Sequence, residues 1–152
     1  RQFRIGVLIP MVTTVSDVVE IAARLRELAD DIGLHELPRL GAMIETPAAA
    51  LSIPALKPHV DFFSIGTNDF IQYMLAADRG NDSVASYYCP HHPAVLRGIA
   101  RFVRTAQTHD RPVSVCGEMA HHKQYIPFLL GVGVRFADPD DTGPFELIGR
   151  HG

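Results

Sequence analysis

Leu40-Gly41-Ala42-Met43-Ile44-Glu45-Thr46-Pro47-Ala48-Ala49-Ala50 decides the fold of this chain. A run of apolar and small residues ends on a carboxylate, and Thr-Pro follows at once. Thr46 suits a helix N-cap, where its hydroxyl can accept from an otherwise unpaired N–H. Pro47 suits the first helical position, because its ring fixes φ and its missing N–H would have had no helical partner. The stretch reads as a strand, Leu40 to Ile44, that delivers Glu45 at its end and turns directly into a helix. Pro54 limits or kinks that helix.

The same scheme recurs on both sides. Upstream, Phe3, Ile5, Val7 and Ile9 alternate, with Leu8 between, and read as a buried strand stopped by Pro10. Thr13, Thr14 and Ser16 supply loop and cap chemistry. Val18, Ile21, Ala22, Leu25, Leu28, Ala29 and Ile32 then recur at helical steps, the pattern of an amphipathic helix. Ser16 or Asp17 is its expected cap and Gly33 its stop. Downstream, Asp61-Phe62-Phe63-Ser64-Ile65 reads as a strand ending at Gly66-Thr67-Asn68-Asp69, with a helix from Phe70 to about Ala76. The Phe62-Phe63 pair reads as core. Residues 78–92 are polar and aromatic and read as a long functional loop. Pro93 opens a helix carrying Val95, Ile99, Val103 and Ala106. Pro112 to Cys116 is a strand ending at Gly117-Glu118, a short helix follows around Tyr125 to Leu130, and a fifth strand is expected near Val134.

Alternating strands and helices with short connections imply parallel strands joined by right-handed crossovers. A closed (β/α)8 barrel takes about 250 residues. The chain has 152. The expected fold is therefore α/β: a partial (β/α)8 TIM barrel of four to five parallel strands. Residues 1–134 form this incomplete barrel segment, and 135–152, rich in Asp, Pro and Gly, form a divergent, poorly ordered tail.

Composition narrows the class. With 47% hydrophobic and 20% charged residues the chain reads as a soluble globular domain. Fourteen Lys and Arg against seventeen Asp and Glu give a net charge of −3, which argues against a nucleic-acid partner. There is no unbroken apolar run of roughly 18 residues, hence no expected membrane span. The start lacks both a signal-peptide layout and Met, so the chain is expected to be a piece of something longer. Two cysteines, Cys89 and Cys116, are too few for a disulfide framework, and a cytosolic, reducing compartment is the default. The adjacent His91-His92 and His121-His122 lack the i, i+4 spacing of a helical zinc site.

Chemistry gathers at strand ends. Glu45, Thr67-Asn68-Asp69 and Cys116-Gly117-Glu118 all follow strands, and parallel α/β folds place such residues on one active face. Two carboxylates and an amide suit a hard divalent cation that shares substrate oxygens. A nearby thiol can serve as a proton donor. Each also has a plainer reading. Glu45 and Asn68-Asp69 could simply start helices, Cys116 could be a small buried apolar group, and Arg79 a solvated charge.

Gly41 to Ala50 and Asp61 to Phe70 resemble the signatures of phosphoenolpyruvate-utilising enzymes. Asp78-Arg79-Gly80-Asn81, His92-Pro93-Ala94-Val95-Leu96 and Cys116-Gly117-Glu118 follow in the family's order, and the set is similar to the Enzyme I type of the sugar phosphotransferase system. The resemblance covers about residues 5–133. It implies a phosphoenolpyruvate–protein phosphotransferase of the cytoplasm, with Mg²⁺ held by Glu45 and Asp69. Thr67, Asn68 and Arg79 would contact substrate, and Cys116 would protonate the enolate carbon as pyruvate forms. The implied partners are an N-terminal phosphohistidine domain and a small phosphocarrier protein, both outside this chain, in a parent expected to be a homodimer. Cys89 stands where the family commonly has Asp, and similarity fades after Gly133. The fragment is expected to be inactive alone. Alternatives are a fragment of a pyruvate phosphate dikinase or phosphoenolpyruvate synthase relative, separated by Asp78 to Asn81 and His92 to Leu96, and a non-catalytic remnant.

Overall fold

The structure, a computed structural model, describes residues 6–108 and 110–134. Four strands, β1 (Gly6–Ile9), β2 (Arg39–Ile44), β3 (Phe62–Gly66) and β4 (Val113–Cys116), form one parallel sheet in the order β1-β2-β3-β4. The helices are α1 (Val15–Asp31), α2 (Pro47–Leu51), α3 (Ile53–Leu56), α4 (Thr67–Leu75), α5 (Pro93–Gln107) and α6 (Ile126–Gly131). Each strand pairs with the one before it in sequence. When successive crossovers share the right-handed sense, this order stacks all helices on one face, as in a barrel wall; a doubly wound sheet reverses its order instead. The architecture is the expected α/β partial barrel.

Register sorts the residues between the two faces. In a parallel pair, partners point the same way and neighbours along a strand point oppositely. Ile9, Leu40, Ala42, Ile44, Phe63, Ile65, Val113 and Val115 share the helix-covered face and belong to the buried core. α5 adds Val95, Ile99, Phe102, Val103 and Ala106, the predicted stripe plus Phe102, whose ring meets Phe63 edge-on at 6.0 Å. Full burial of a side chain of this size is worth about 1.5–3 kcal/mol, so this layer holds the sheet to its helices.

The opposite face would line a barrel interior. Gly41 pairs with Phe62, Met43 with Ser64, and Gly66 with Cys116. Here the expected Phe62-Phe63 core pair divides. Phe63 enters the helix side, whereas Phe62 lies across Gly41, where an added Cβ would run into its ring. The Arg39 guanidinium carbon sits 5.6 Å from the Phe62 ring centroid. The alternation of a strand forces this split on any two successive residues.

Several boundaries differ from expectation. α1 starts at Val15 because Thr14, not Ser16, is its N-cap, with Asp17 closing a capping box back onto the Thr13 and Thr14 N–H groups. Val18 and Ala29 are buried in α1, and Ala22 and Leu25 pack against the core, but Ile21, Leu28 and Ile32 are exposed. α4 starts at Thr67 rather than Phe70, so Thr67, Asn68 and Asp69 form its first turn. Val134 is buried outside any strand, and the described residues contain four strands. The expected tail at 135–152 and the start of the first predicted strand lie outside the described residues. No described helix is long and apolar enough to cross a membrane.

Candidate active site

The strand C-termini bring Glu45, Asp69 and Cys116 to one end of the sheet. Glu45 leaves β2 directly and is 4% exposed. The Met11 N–H donates to its Oε1 at 2.6 Å. Met11 lies in the left-handed region at φ 51°. That conformation costs a non-glycine residue on the order of 1 kcal/mol or more, and such strain collects at functional sites. Here it aims an N–H at a buried carboxylate. Burial pushes the Glu45 carboxyl above its ordinary range; the Met11 bond opposes this, and the charge and hydrogen bonding of Asp69 add to it.

Cys116 ends β4. Its Sγ receives the Ser64 hydroxyl at 3.5 Å and donates to the Ile65 carbonyl at 3.3 Å. Burial raises its pKa, Ser64 pulls it down, and the negative charges of Glu45 and Asp69 raise it further. The group is a protonated thiol at neutral pH, the form a proton donor needs. Glu45, Asp69 and Cys116 therefore share one electrostatic neighbourhood. Arg79 reaches it from the loop after α4, with a guanidinium nitrogen 3.7 Å from an Asp69 carboxylate oxygen.

A second set of contacts locks β4's exit to the start of α4. The Thr67 hydroxyl donates to the Cys116 carbonyl at 3.1 Å, and the Glu118 N–H donates to Asn68 Oδ1 at 2.9 Å. Between them Gly117 takes φ 95°, and a Cβ there would stand 2.5 Å from Thr67 Oγ1. Glycine meets both demands. The Tyr88 hydroxyl donates to the Asn68 carbonyl at 3.3 Å. Burial and the Glu118 and Asp69 carboxylates push that phenol up, while Arg79 draws it down. Beside it lies a cleft of about 220 Å³ lined by Tyr88, Pro90, Glu118, His122 and Tyr125.

Glu45, Asp69, Cys116 and Arg79 are thus gathered as the sequence pattern anticipated. Asn68 is at the same place, with its side-chain oxygen engaged by Glu118. Thr67, expected among the substrate contacts, has no exposed surface and its hydroxyl is spent on Cys116, so its position is that of a brace. Met11, Ser64, Gly66 and Tyr88 were not singled out. Strand alternation from Phe62 would have put Ser64 and Gly66 on the Cys116 face; no sequence signal marked the Met11 N–H.

The donor set fits a hard cation. Glu45 and Asp69 bring two carboxylates together, and Arg79 offsets part of the charge of Asp69. A residual negative cluster of oxygen donors matches what small divalent ions take. The described residues hold no group of three or more His, Cys, Asp or Glu side chains close enough to enclose a metal by themselves. Such a site would leave positions for substrate or water.

The family model for the PEP-utilising enzyme, PEP-binding domain, matches residues 1–138. The chain belongs to this family. Among curated proteins it is 42% identical over 132 residues to the phosphoenolpyruvate-protein phosphotransferase of Mycoplasma pneumoniae, covering 87% of this chain and 23% of that protein. It is 42% identical over 134 residues to the phosphoenolpyruvate-protein phosphotransferase of Haloferax volcanii, covering 86% and 24%. An Escherichia coli protein named for the phosphoenolpyruvate-dependent phosphotransferase system is 43% identical over 138 residues, covering 86% and 18%. The chain thus spans a quarter or less of the length of these relatives. Among solved structures, a citrate lyase from Burkholderia xenovorans superposes with a TM-score of 0.57 at 18% identity, over 82% of this chain and 47% of that one. A citrate synthase gives 0.59 at 16% identity, over 85% and 53%. At such identities the likeness concerns the fold alone.

Proposed function

We propose that this chain is the phosphoenolpyruvate-binding part of a phosphoenolpyruvate–protein phosphotransferase of the cytoplasm. The reaction moves the phosphoryl group of phosphoenolpyruvate to a protein histidine and releases pyruvate. The observation that carries the reading is the meeting of Glu45, Asp69 and Cys116 at one end of the sheet. Arg79 and Asn68 would bind the phosphate, and Thr67 would hold Asn68 and Cys116 in register. Glu45 and Asp69 would hold Mg²⁺, which when bound offsets charge on phosphate and enolate oxygens.

The remaining chemistry follows from the residues. The bridging P–O bond breaks, the phosphoryl group passes to a histidine nitrogen, and the electron pair stays on enolpyruvate. Cys116 Sγ then gives its proton to the methylene carbon, yielding pyruvate and a thiolate that recovers a proton from water. Burial keeps the thiol protonated until that moment, and the Ser64 hydroxyl is placed to donate to the thiolate that forms. The acceptor histidine belongs to a separate domain, phosphorylated for passage to a small carrier protein.

The test is calorimetry of the full chain with phosphoenolpyruvate and Mg²⁺, alongside a pyruvate assay. Weak binding is expected, lost when Glu45→Gln and Asp69→Asn are combined, with pyruvate forming only when the rest of such an enzyme is supplied. Steady pyruvate formation by the chain alone, or binding indifferent to both substitutions, overturns the reading.

A further inference from the structure

Gly66 ends β3 with φ −81° and ψ 86°, angles open to any L-residue. Its backbone gives no reason for glycine. Its surroundings do. A Cβ at this position would run into Glu45 Oε2, and would stand 2.7 Å from Glu45 Cβ and 3.1 Å from Cδ. The Glu45 side chain therefore lies along the bare α-carbon of the neighbouring strand's last residue. On its other side the left-handed Met11 N–H fixes Oε1 at 2.6 Å.

We propose that Gly66 is a positioning residue for Glu45: its missing side chain is the slot in which the carboxylate lies, and Met11 is the stop that sets its rotation. Oε1 is engaged by Met11, and Oε2 is the oxygen offered to a cation shared with Asp69. The cation clause rests on the reading under Proposed function; the slot rests on packing alone. A glutamate carboxylate on three rotatable bonds loses its aim readily, and metal sites depend on neighbours that hold ligand orientation. The slot and the stop together leave Glu45 one pose.

The test is a double-mutant cycle in the full chain: native, Gly66→Ala, Glu45→Gly and both together. Glu45→Gly is used because Glu45→Ala would keep the Cβ that crowds the slot. Three readouts apply: the thermal midpoint, hydrogen exchange of the Met11 amide, and Mn²⁺ binding followed by electron spin resonance. Gly66→Ala is expected to lower the midpoint clearly in the native background and by less than half as much beside Glu45→Gly. It should also speed Met11 exchange and weaken Mn²⁺ at least roughly tenfold, a range typical of lost ligand orientation. If Gly66→Ala does not fold, the double variant decides: recovery of a cooperative transition supports the slot. Equal destabilisation in both backgrounds, failure of both variants to fold, or Met11 protection unchanged in Gly66→Ala overturns it. Mn²⁺ failing to bind the native chain, with the thermal and exchange results as expected, removes the cation reading and leaves the slot standing.

Discussion

The two faces of the sheet obey opposite rules. On the helix side every strand residue is apolar, from Ile9 through Ile44 and Phe63 to Val115, and the layer behind it is equally so. On the other side the same strands carry Gly41, Met43, Phe62, Ser64, Gly66, Ser114 and Cys116. Small and polar groups there leave room and hydrogen bonds for the strand-end residues. One face supplies cohesion and the other supplies aim, although they alternate residue by residue along the same strands.

The largest expected effect comes from breaking the cohesive face. Phe63→Ala removes a fully buried ring and its edge contact with Phe102, and should cost about 3–5 kcal/mol in urea unfolding. Its neighbour Ser64→Ala, on the other face, should cost only about 1 kcal/mol. It should nonetheless shift the pH profile of Cys116 alkylation upward, because the Ser64 hydroxyl is the strongest of the groups that lower that thiol's pKa. If the two substitutions cost the same, the division of labour between the faces is wrong.

Much of this was legible in the sequence and some was not. Short apolar runs located the four described strands and helical spacing located the buried stripe of α5, because burial imposes those patterns directly; the fifth strand expected near Val134 is not among the described elements. The strand-end residues were legible because a parallel topology sends all such ends one way. Thr67 was misplaced because a helix N-cap can be supplied by Gly66 without any side chain, which moves the first turn three residues earlier than the apolar pattern begins. Phe62 was misread because a doublet of aromatic residues says nothing about which one faces which layer. Met11 was invisible, since its contribution is a backbone N–H turned by an unusual φ.

A smaller effect sharpens the contrast at Glu45. Its carboxyl is held above the ordinary range by burial, so the folded state binds that proton more tightly than the unfolded chain. This contribution is lost as pH rises from the unfolded toward the folded pKa, and above both the buried charge is a net burden. Glu45→Gln keeps an acceptor for Met11 and removes the charge. It should raise the thermal midpoint of the metal-free chain at neutral pH while abolishing any increase produced by Mg²⁺, both read by calorimetric melting. A lower metal-free midpoint would mean that the ionised carboxylate is better satisfied than its burial implies.

The smallest effect lies far from the site. Asp17 closes the α1 capping box and its pKa is lowered to about 2, chiefly by the Thr13 and Thr14 N–H groups. A depressed carboxyl contributes stability that is fully present above its ordinary 3.8 and lost as pH falls through about 2. Asp17→Asn should therefore weaken the chain slightly at neutral pH and flatten the acid end of its stability profile below pH 4, measured by urea titration at stepped pH. The corresponding cap variant Thr14→Ala should cost about 1 kcal/mol at neutral pH.

Strand order has a consequence for how such a chain comes into being. Among the described residues each strand after β1 hydrogen-bonds the one made just before it, so a growing polypeptide can lay down β1 to β4 in the order of synthesis. The two acidic residues are then seated before synthesis reaches the sulfur. β4 and its thiol join last of the four described strands, on an edge already laid down, and the cleft beside Tyr88 closes only when Glu118, His122 and Tyr125 follow.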